Sequence, residues 1–517
     1  MNIRHISLFV LALGFFACDE DDKILPEEVI LPELTAGSAD FSNYIAVGAS
    51  FTSGFTDGGL FKAAQENSFP NTLSKEFAKA GGGTFTQPLM NDNTGGILVG
   101  GTVVRGYRFI FNSAIPGPQP LDAFLTGLGA PVPPITTEAG VSIGSDFNNF
   151  GIPGAKSWHL VTPGYAGLNP FYARVASAPT ATVLEDAMAQ NPTFFTLSEI
   201  GGNDVLGYAL SGGDGSNLIT PSAGPVGVGF DETFNNLVTT LTSGGAKGVV
   251  TNVPYVTDLP HFTTVPNNAL VLDASTAAQL TGFFQAVAGI FTQVLIGQMV
   301  PPAQAQALAA QYAIPFSAGA NRWIIDVPVT PTNPLGFRQM TEDELLVLTI
   351  DQGALAQGYG SVALTPEVLQ VLGILQTGGT PTPQQGALVI GAVNGIDDGD
   401  ALDSDELLEI KTATDAYNAT IADVVNSNDN IALVDLNGIL SELASTGIGF
   451  DGFNLNADLV TGGAIGLDGI HLTGRGYALM ANKFLEAIDA TFGSNFIESG
   501  NVAKANDYPT NYSPTLQ

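Results

Sequence analysis

The sequence predicts an α/β fold built on a parallel sheet, and three observations carry that expectation. Apolar runs of strand length, such as Tyr44 to Gly48 and Pro192 to Ser198, alternate with helical stretches along most of the chain. Strands alternating with helices demand a parallel sheet covered on both faces. Several of these runs end in glycine turns, at the carboxyl ends where open α/β sheets place their ligands.

Taken in order, Tyr44-Ile45-Ala46-Val47-Gly48 is a short apolar strand that opens the domain, and a helical stretch follows around Pro70 to Ala80. Residues 88–145 are loop-rich, with glycine pairs and a Pro116 to Pro134 cluster. Pro192 to Ser198 reads as a buried strand, Asp231 to Thr242 as a helix and Gly248 to Asn252 as a further strand. Asn430 to Asp435 is another strand followed by a helix. Gly474 to Ile488 closes the domain as a helix, because Tyr477, Met480, Phe484 and Ile488 recur at three- to four-residue spacing. Residues 261–400 are the largest interruption. Within them Phe283, Val287, Ile290, Phe291, Val294 and Leu295 form one helical face, read as core packing, with a lid or acyl-contacting helix as the alternative. No internal repeat is visible.

Composition narrows the function. The chain has 517 residues, 45% apolar, enough for a large core, and its 62 Gly and 31 Pro imply many loops. Its net charge of -33 repels phosphate backbones, which argues against nucleic-acid binding, and offers anionic lipids no basic patch. Membrane attachment therefore needs another device. Met1 to His5 is a short basic segment, Ile6 to Phe16 an apolar run, and Ala17 a small residue before Cys18, the single cysteine. This resembles a bacterial lipoprotein signal, cleaved before a Cys18 that then carries lipid, although Phe15 and Phe16 depart from the usual residues there. Several acyl chains make a firm anchor. Asp19 to Asp22 resembles an acidic export tag for surface lipoproteins, so the expected location is the outer membrane, facing the cell surface or the periplasm. The expected organisation is a signal at 1–17, an acidic tether at 18–40, a domain at 41–495 with insertions at 88–145 and 261–400, and a tail at 496–517.

Two patterns are set aside. Asp397, Asp398, Asp400, Asp403 and Asp405 invite a calcium reading but miss the EF-hand register; Asp403 followed by Glu406 is better explained as a helix capping box. Gly140-Val141-Ser142-Ile143-Gly144 matches a nucleophile-elbow pattern, yet neither a strand precedes it nor a helix follows.

The chemistry concentrates elsewhere. In Gly48-Ala49-Ser50-Phe51-Thr52-Ser53-Gly54 a strand feeds a tight turn, and Ser50 stands where a helix begins, as a nucleophile or as a mere N-cap. In Asp468-Gly469-Ile470-His471 an acid three residues before a histidine can orient the ring, freeing its other nitrogen to take the serine proton. Of the four histidines, His5 lies in the signal, and His159 and His261 lack an acid at comparable spacing. Gly154, in a turn after Asn149 to Gly151, and Asn203, after Ile200-Gly201-Gly202, are candidate oxyanion donors.

These four segments, in this order, resemble the consensus blocks of the SGNH/GDSL hydrolases. The resemblance runs from about Tyr44 to Ile488, and Gln65 to Pro70 and Thr461 to Gly463 add a likeness to long, inserted bacterial lipoproteins of that family. It implies a three-layer α/β/α flavodoxin-like fold with a parallel sheet of about five strands, a catalytic triad of Ser50, Asp468 and His471, and an oxyanion hole of Ser50, Gly154 and Asn203. Ala49 stands where the family has an acid and Phe51 where it has a leucine. The implied activity is ester hydrolysis without cofactor or metal. The substrate is a small-molecule or lipid ester, with fatty-acyl esters favoured over carbohydrate O-acetyl groups. A non-catalytic surface lipoprotein binding glycan or a membrane partner is the alternative from another class.

Overall fold

A computed structural model describes residues 31–114 and 117–516; the signal, Cys18 and most of the 18–40 stretch lie outside the described residues. The structure is mixed α/β around a five-stranded parallel sheet. Its strands are β1 (Tyr44–Gly48), β2 (Asn149–Gly151), β3 (Phe194–Ser198), β4 (Lys247–Thr251) and β5 (Ile431–Val434). They lie in the order β2-β1-β3-β4-β5. β1 pairs with β3 from Tyr44 opposite Phe194 to Gly48 opposite Ser198. Every residue of both strands is buried, the condition that a near-continuous apolar run satisfies. The strand order reverses between β1 and β3, so a crevice opens beyond their carboxyl ends.

The main helices are α1 (Ser50–Ser53), α2 (Phe69–Lys79), α3 (Gly202–Leu210), α4 (Phe230–Thr242), α5 (Ala274–Gly297), α6 (Pro302–Ala309), α7 (Pro366–Gln376), α8 (Pro383–Ile390), α9 (Ser404–Asn426), α10 (Leu436–Ser445) and α11 (Gly474–Phe492). α11 starts where the Thr473 hydroxyl caps the Gly476 N–H, and it buries Tyr477, Met480, Phe484 and Ile488. It packs along β5 and against α2, where Phe484 stacks on Phe69 with ring centroids 4.8 Å apart. α9 packs on α3 and α4. At its start the Asp403 carboxylate accepts the N–H groups of Asp405 and Glu406, and Glu406 answers by accepting the Asp403 N–H at 2.7 Å. The capping box is formed.

The insertions are structured. Residues 88–145 hold two hairpins, Ile97–Val99 with Thr102–Arg105 and Phe109–Asn112 with Gly117–Pro120. Residues 261–400 carry α5 to α8, which build a satellite core of their own. Phe283, Val287, Ile290, Phe291 and Leu295 point into it, so α5 packs a core; Val294, expected on the same face, is instead exposed. Among the described residues, α5 alone is long and apolar enough to cross a membrane. The stretch after α11 differs from a tail. Phe496 is fully buried against Phe41 and Phe77, and the buried Arg108 donates to the Ser513 carbonyl at 2.7 Å. The end of the tether is likewise docked, with the Ser38 N–H on the Phe492 carbonyl at 2.8 Å. Polar composition hid both, because a few buried aromatics are enough to anchor a segment.

Candidate active site

Ser50 is the first residue of α1, directly beyond β1. The turn requires glycine at 48: a Cβ there would meet the Thr52 hydroxyl and lie 2.8 Å from the Ser198 carbonyl oxygen. α1 lasts one turn and ends at Gly54, whose φ of +82° a side chain would resist. Ser50 is mostly buried, at 8% exposure. Its N–H and its hydroxyl have no hydrogen-bond partner among the described residues.

His471 comes to the same corner from the other end of the chain. Its Nδ1 lies 2.8 Å from Oδ2 of Asp468. Burial by itself would raise the Asp468 pKa; the His471 ring and the N–H groups of His471 and Ile470 overcome that and hold the acid well below the usual carboxylate range. An ionised Asp468 favours the tautomer with the ring hydrogen on Nδ1, and Nε2 has no hydrogen-bond partner among the described residues. The ring packs edge-on to Phe51, the neighbour of Ser50, with centroids 5.8 Å apart, and leans on Phe55 at 4.5 Å. No direct hydrogen bond joins Ser50 to His471; such bonds commonly tighten only when substrate is bound.

Gly154 and Asn203 flank this corner. Gly154 has a φ of +78°, is exposed, and a Cβ built on it would meet nothing within 4 Å. Its N–H is unengaged among the described residues. Asn203, in the first turn of α3, donates to the Ala155 carbonyl at 2.9 Å, which ties the two turns together and leaves its second amide hydrogen available. Asp204 reinforces the link by accepting the N–H and hydroxyl of Ser157 at 2.8 and 2.7 Å. Ser50, Gly154 and Asn203 thus follow the carboxyl ends of β1, β2 and β3, around the point where the strand order reverses.

Two buried carboxylates were not foreseen. Glu199 lies under the Ser50 turn, and burial pushes its pKa up to about 7 against the pull of its hydrogen bonds. Asp57 accepts the Leu467 N–H at 2.8 Å, beside Asp468, and burial likewise pushes it up to about 7. An acid directly after the buried strand β3 was the visible hint for Glu199; Asp57 had none.

The remaining candidates fall outside. His159 accepts the Lys156 N–H through Nδ1 at 2.9 Å and stacks on Tyr165; burial, then the Lys156 charge, takes its pKa to about 4. His261 is buried behind Asp468, its N–H bound to the Gly469 carbonyl at 3.0 Å. Ser142 sits in an exposed bend, its hydroxyl accepting the Gly144 N–H, with no helix following.

Two cavities adjoin the site. A crevice of about 30 Å³ lies against Ser50, lined by Asn203, Val256, Leu259, Leu440 and Ile470. On the far side of Asp468 opens a cleft of about 920 Å³, walled by Phe109 and Phe111 of the first insertion, Trp323, Leu348 and Leu355 of the second, and Leu467. No family model matches the chain, and neither a curated protein nor a solved structure does.

Proposed function

We propose that the chain is a serine ester hydrolase of the SGNH/GDSL type, a three-layer α/β/α enzyme with Ser50 as nucleophile. The observation that carries the reading is the Asp468–His471 pair at 2.8 Å, with its imidazole packed on the residue next to a serine whose hydroxyl is unengaged. His471 takes the Ser50 proton as the hydroxyl attacks the ester carbonyl. The N–H groups of Ser50 and Gly154 and the Asn203 amide receive the oxyanion. His471 then protonates the departing alcohol, and water, activated by the same ring, releases the acid from the acyl-enzyme. Every step draws on side chains, main chain and water. A fluorophosphonate probe is expected to label the protein, and Ser50→Ala to abolish labelling; an unlabelled wild type would sink the assignment.

A lipid or fatty-acyl ester is the favoured substrate, because apolar residues of both insertions line the large cleft that borders Asp468. The small crevice at Ser50 favours a second reading, removal of acetyl groups from carbohydrate. Rates on acetyl and long-chain p-nitrophenyl esters separate the two. We further propose an outer-membrane lipoprotein anchored through Cys18; Cys18→Ser is expected to release the protein from membranes.

A further inference from the structure

The acyl-transfer scheme gives no role to Glu199, yet its buried carboxylate is spent on the turn that bears Ser50. Oε1 accepts the N–H of Ala49 at 2.7 Å and that of Thr52 at 2.9 Å, and Oε2 accepts the Thr52 hydroxyl at 3.1 Å. The residues held are those on either side of Ser50, whose own N–H is left unengaged between them. The same residue reaches the second oxyanion element. Its carbonyl accepts the Gly202 N–H at 3.0 Å, one position before Asn203, and its N–H donates to the Thr251 hydroxyl on β4 at 2.8 Å. Its φ of +49° is a left-handed conformation that a residue with a side chain adopts only where its surroundings impose it.

A purely structural purpose explains this poorly. β1 and β3 are already joined by their ladder up to Gly48 and Ser198, so no further tie is needed there. A buried carboxyl is an expensive way to add one, and the raised pKa records that expense.

We propose that Glu199 is a positioning residue: it fixes the Ser50 N–H and the Asn203 amide relative to one another, so that both donors reach one oxyanion. The inference rests on Ser50 being the nucleophile. It requires an acceptor at the Oε1 position, a hydrogen-bond partner for the Thr52 hydroxyl at the Oε2 position, and no proton transfer.

The test compares Glu199→Ala, Glu199→Gln and Ser50→Ala in the full chain, by steady-state kinetics and by the rate of fluorophosphonate labelling. Glu199→Ala is expected to lower kcat about 10- to 100-fold, with KM nearly unchanged and labelling slowed in parallel, as a displaced donor would. Glu199→Gln keeps one carbonyl acceptor and can turn its amide toward Thr52, so it is expected to recover to within about five-fold of wild type. A folded Glu199→Ala with wild-type kcat overturns the proposal, as does Glu199→Gln as impaired as Glu199→Ala. Should Glu199→Ala not fold, Thr52→Val removes the bond to Oε2 alone; a several-fold loss of kcat supports the proposal and an unchanged kcat overturns it. Labelling that is absent in wild type removes the Ser50 premise itself, and labelling lost only in Ser50→Ala secures that premise independently of Glu199.

Discussion

Gly58 and Asp468 stand 410 positions apart in the chain, and the N–H of the first donates to the carboxylate of the second at 2.7 Å. Next to this bond, the Asp57 carboxylate accepts the Leu467 N–H at 2.8 Å. Together they lock the loop after α1 to the loop before α11. The Asp468 carboxylate also accepts the N–H groups of Ile470 and His471, each at 2.9 Å, so its orientation toward the His471 ring is over-determined.

That orientation predicts the first outcome. Asp468→Asn keeps the shape but loses the charge that holds the proton on Nδ1. It is expected to lower kcat on the order of 10³- to 10⁴-fold while circular dichroism stays unchanged.

Stability should fall as pH rises from the acid range through neutral. Burial raises the folded pKa of Glu199 and Asp57 to about 7 and that of Glu406 to about 8, so the folded state holds these protons more tightly than the unfolded chain. Their contribution is complete below the unfolded carboxyl pKa and is lost as pH climbs through the folded values. Asp468 works in the opposite sense: its depressed pKa stabilises above the unfolded value and is lost in acid. The melting temperature is therefore expected to peak near pH ~5 and to drop by pH ~8.5, with a shallower drop in Glu199→Gln. Thermal unfolding across that range, repeated in high salt to screen general repulsion, checks both.

Gly469→Ala should couple damage to both the second insertion and the proposed triad. Gly469 has a φ of +73°, and a Cβ there would stand 2.9 Å from the His261 nitrogen. His261 in turn accepts the Leu348 N–H at 2.7 Å. A loss of about 1–3 kcal/mol in stability is expected, together with lower kcat; chemical denaturation and kinetics measure the two.

The segment after α11 is part of the core. Phe496→Ala leaves a hole beside the stacked Phe41 and Phe77 rings and is expected to cost about 3–5 kcal/mol, read from the shift of the urea midpoint. A loose tail would show no shift.

Cleft width offers a last handle. Ala356 is exposed on the wall of the large cleft. Ala356→Trp is expected to reduce hydrolysis of a long-chain ester about ten-fold more than that of an acetyl ester. Equal effects on both would separate the cleft from the substrate path.

How much of this was legible beforehand follows from what each feature depends on. β1 and β3 could be read because strands buried on both faces are written as unbroken apolar runs, and α11 because its buried residues repeat with the helical turn. The Asp468 and His471 pair was legible because its geometry is local, an acid and a ring three residues apart. The packing of Phe496 was not, since one aromatic in a polar stretch has no periodicity. Val294 is exposed although Ile290, Phe291 and Leu295 around it are buried in the satellite core, a difference that helical periodicity alone does not record.

By itself the sequence determined the elements of the sheet, the candidate nucleophile and the acid–imidazole pair, all of which depend on spacing within a few residues. Only the tertiary structure decided which buried carboxylates support them. Glu199 meets Ala49 across 150 positions, and Asp57 meets Leu467 across 410. Hydrogen bonds of that range, and the loss of water that lifts both acids toward neutral pKa values, arise from how the chain is packed, and no local pattern of residues encodes them.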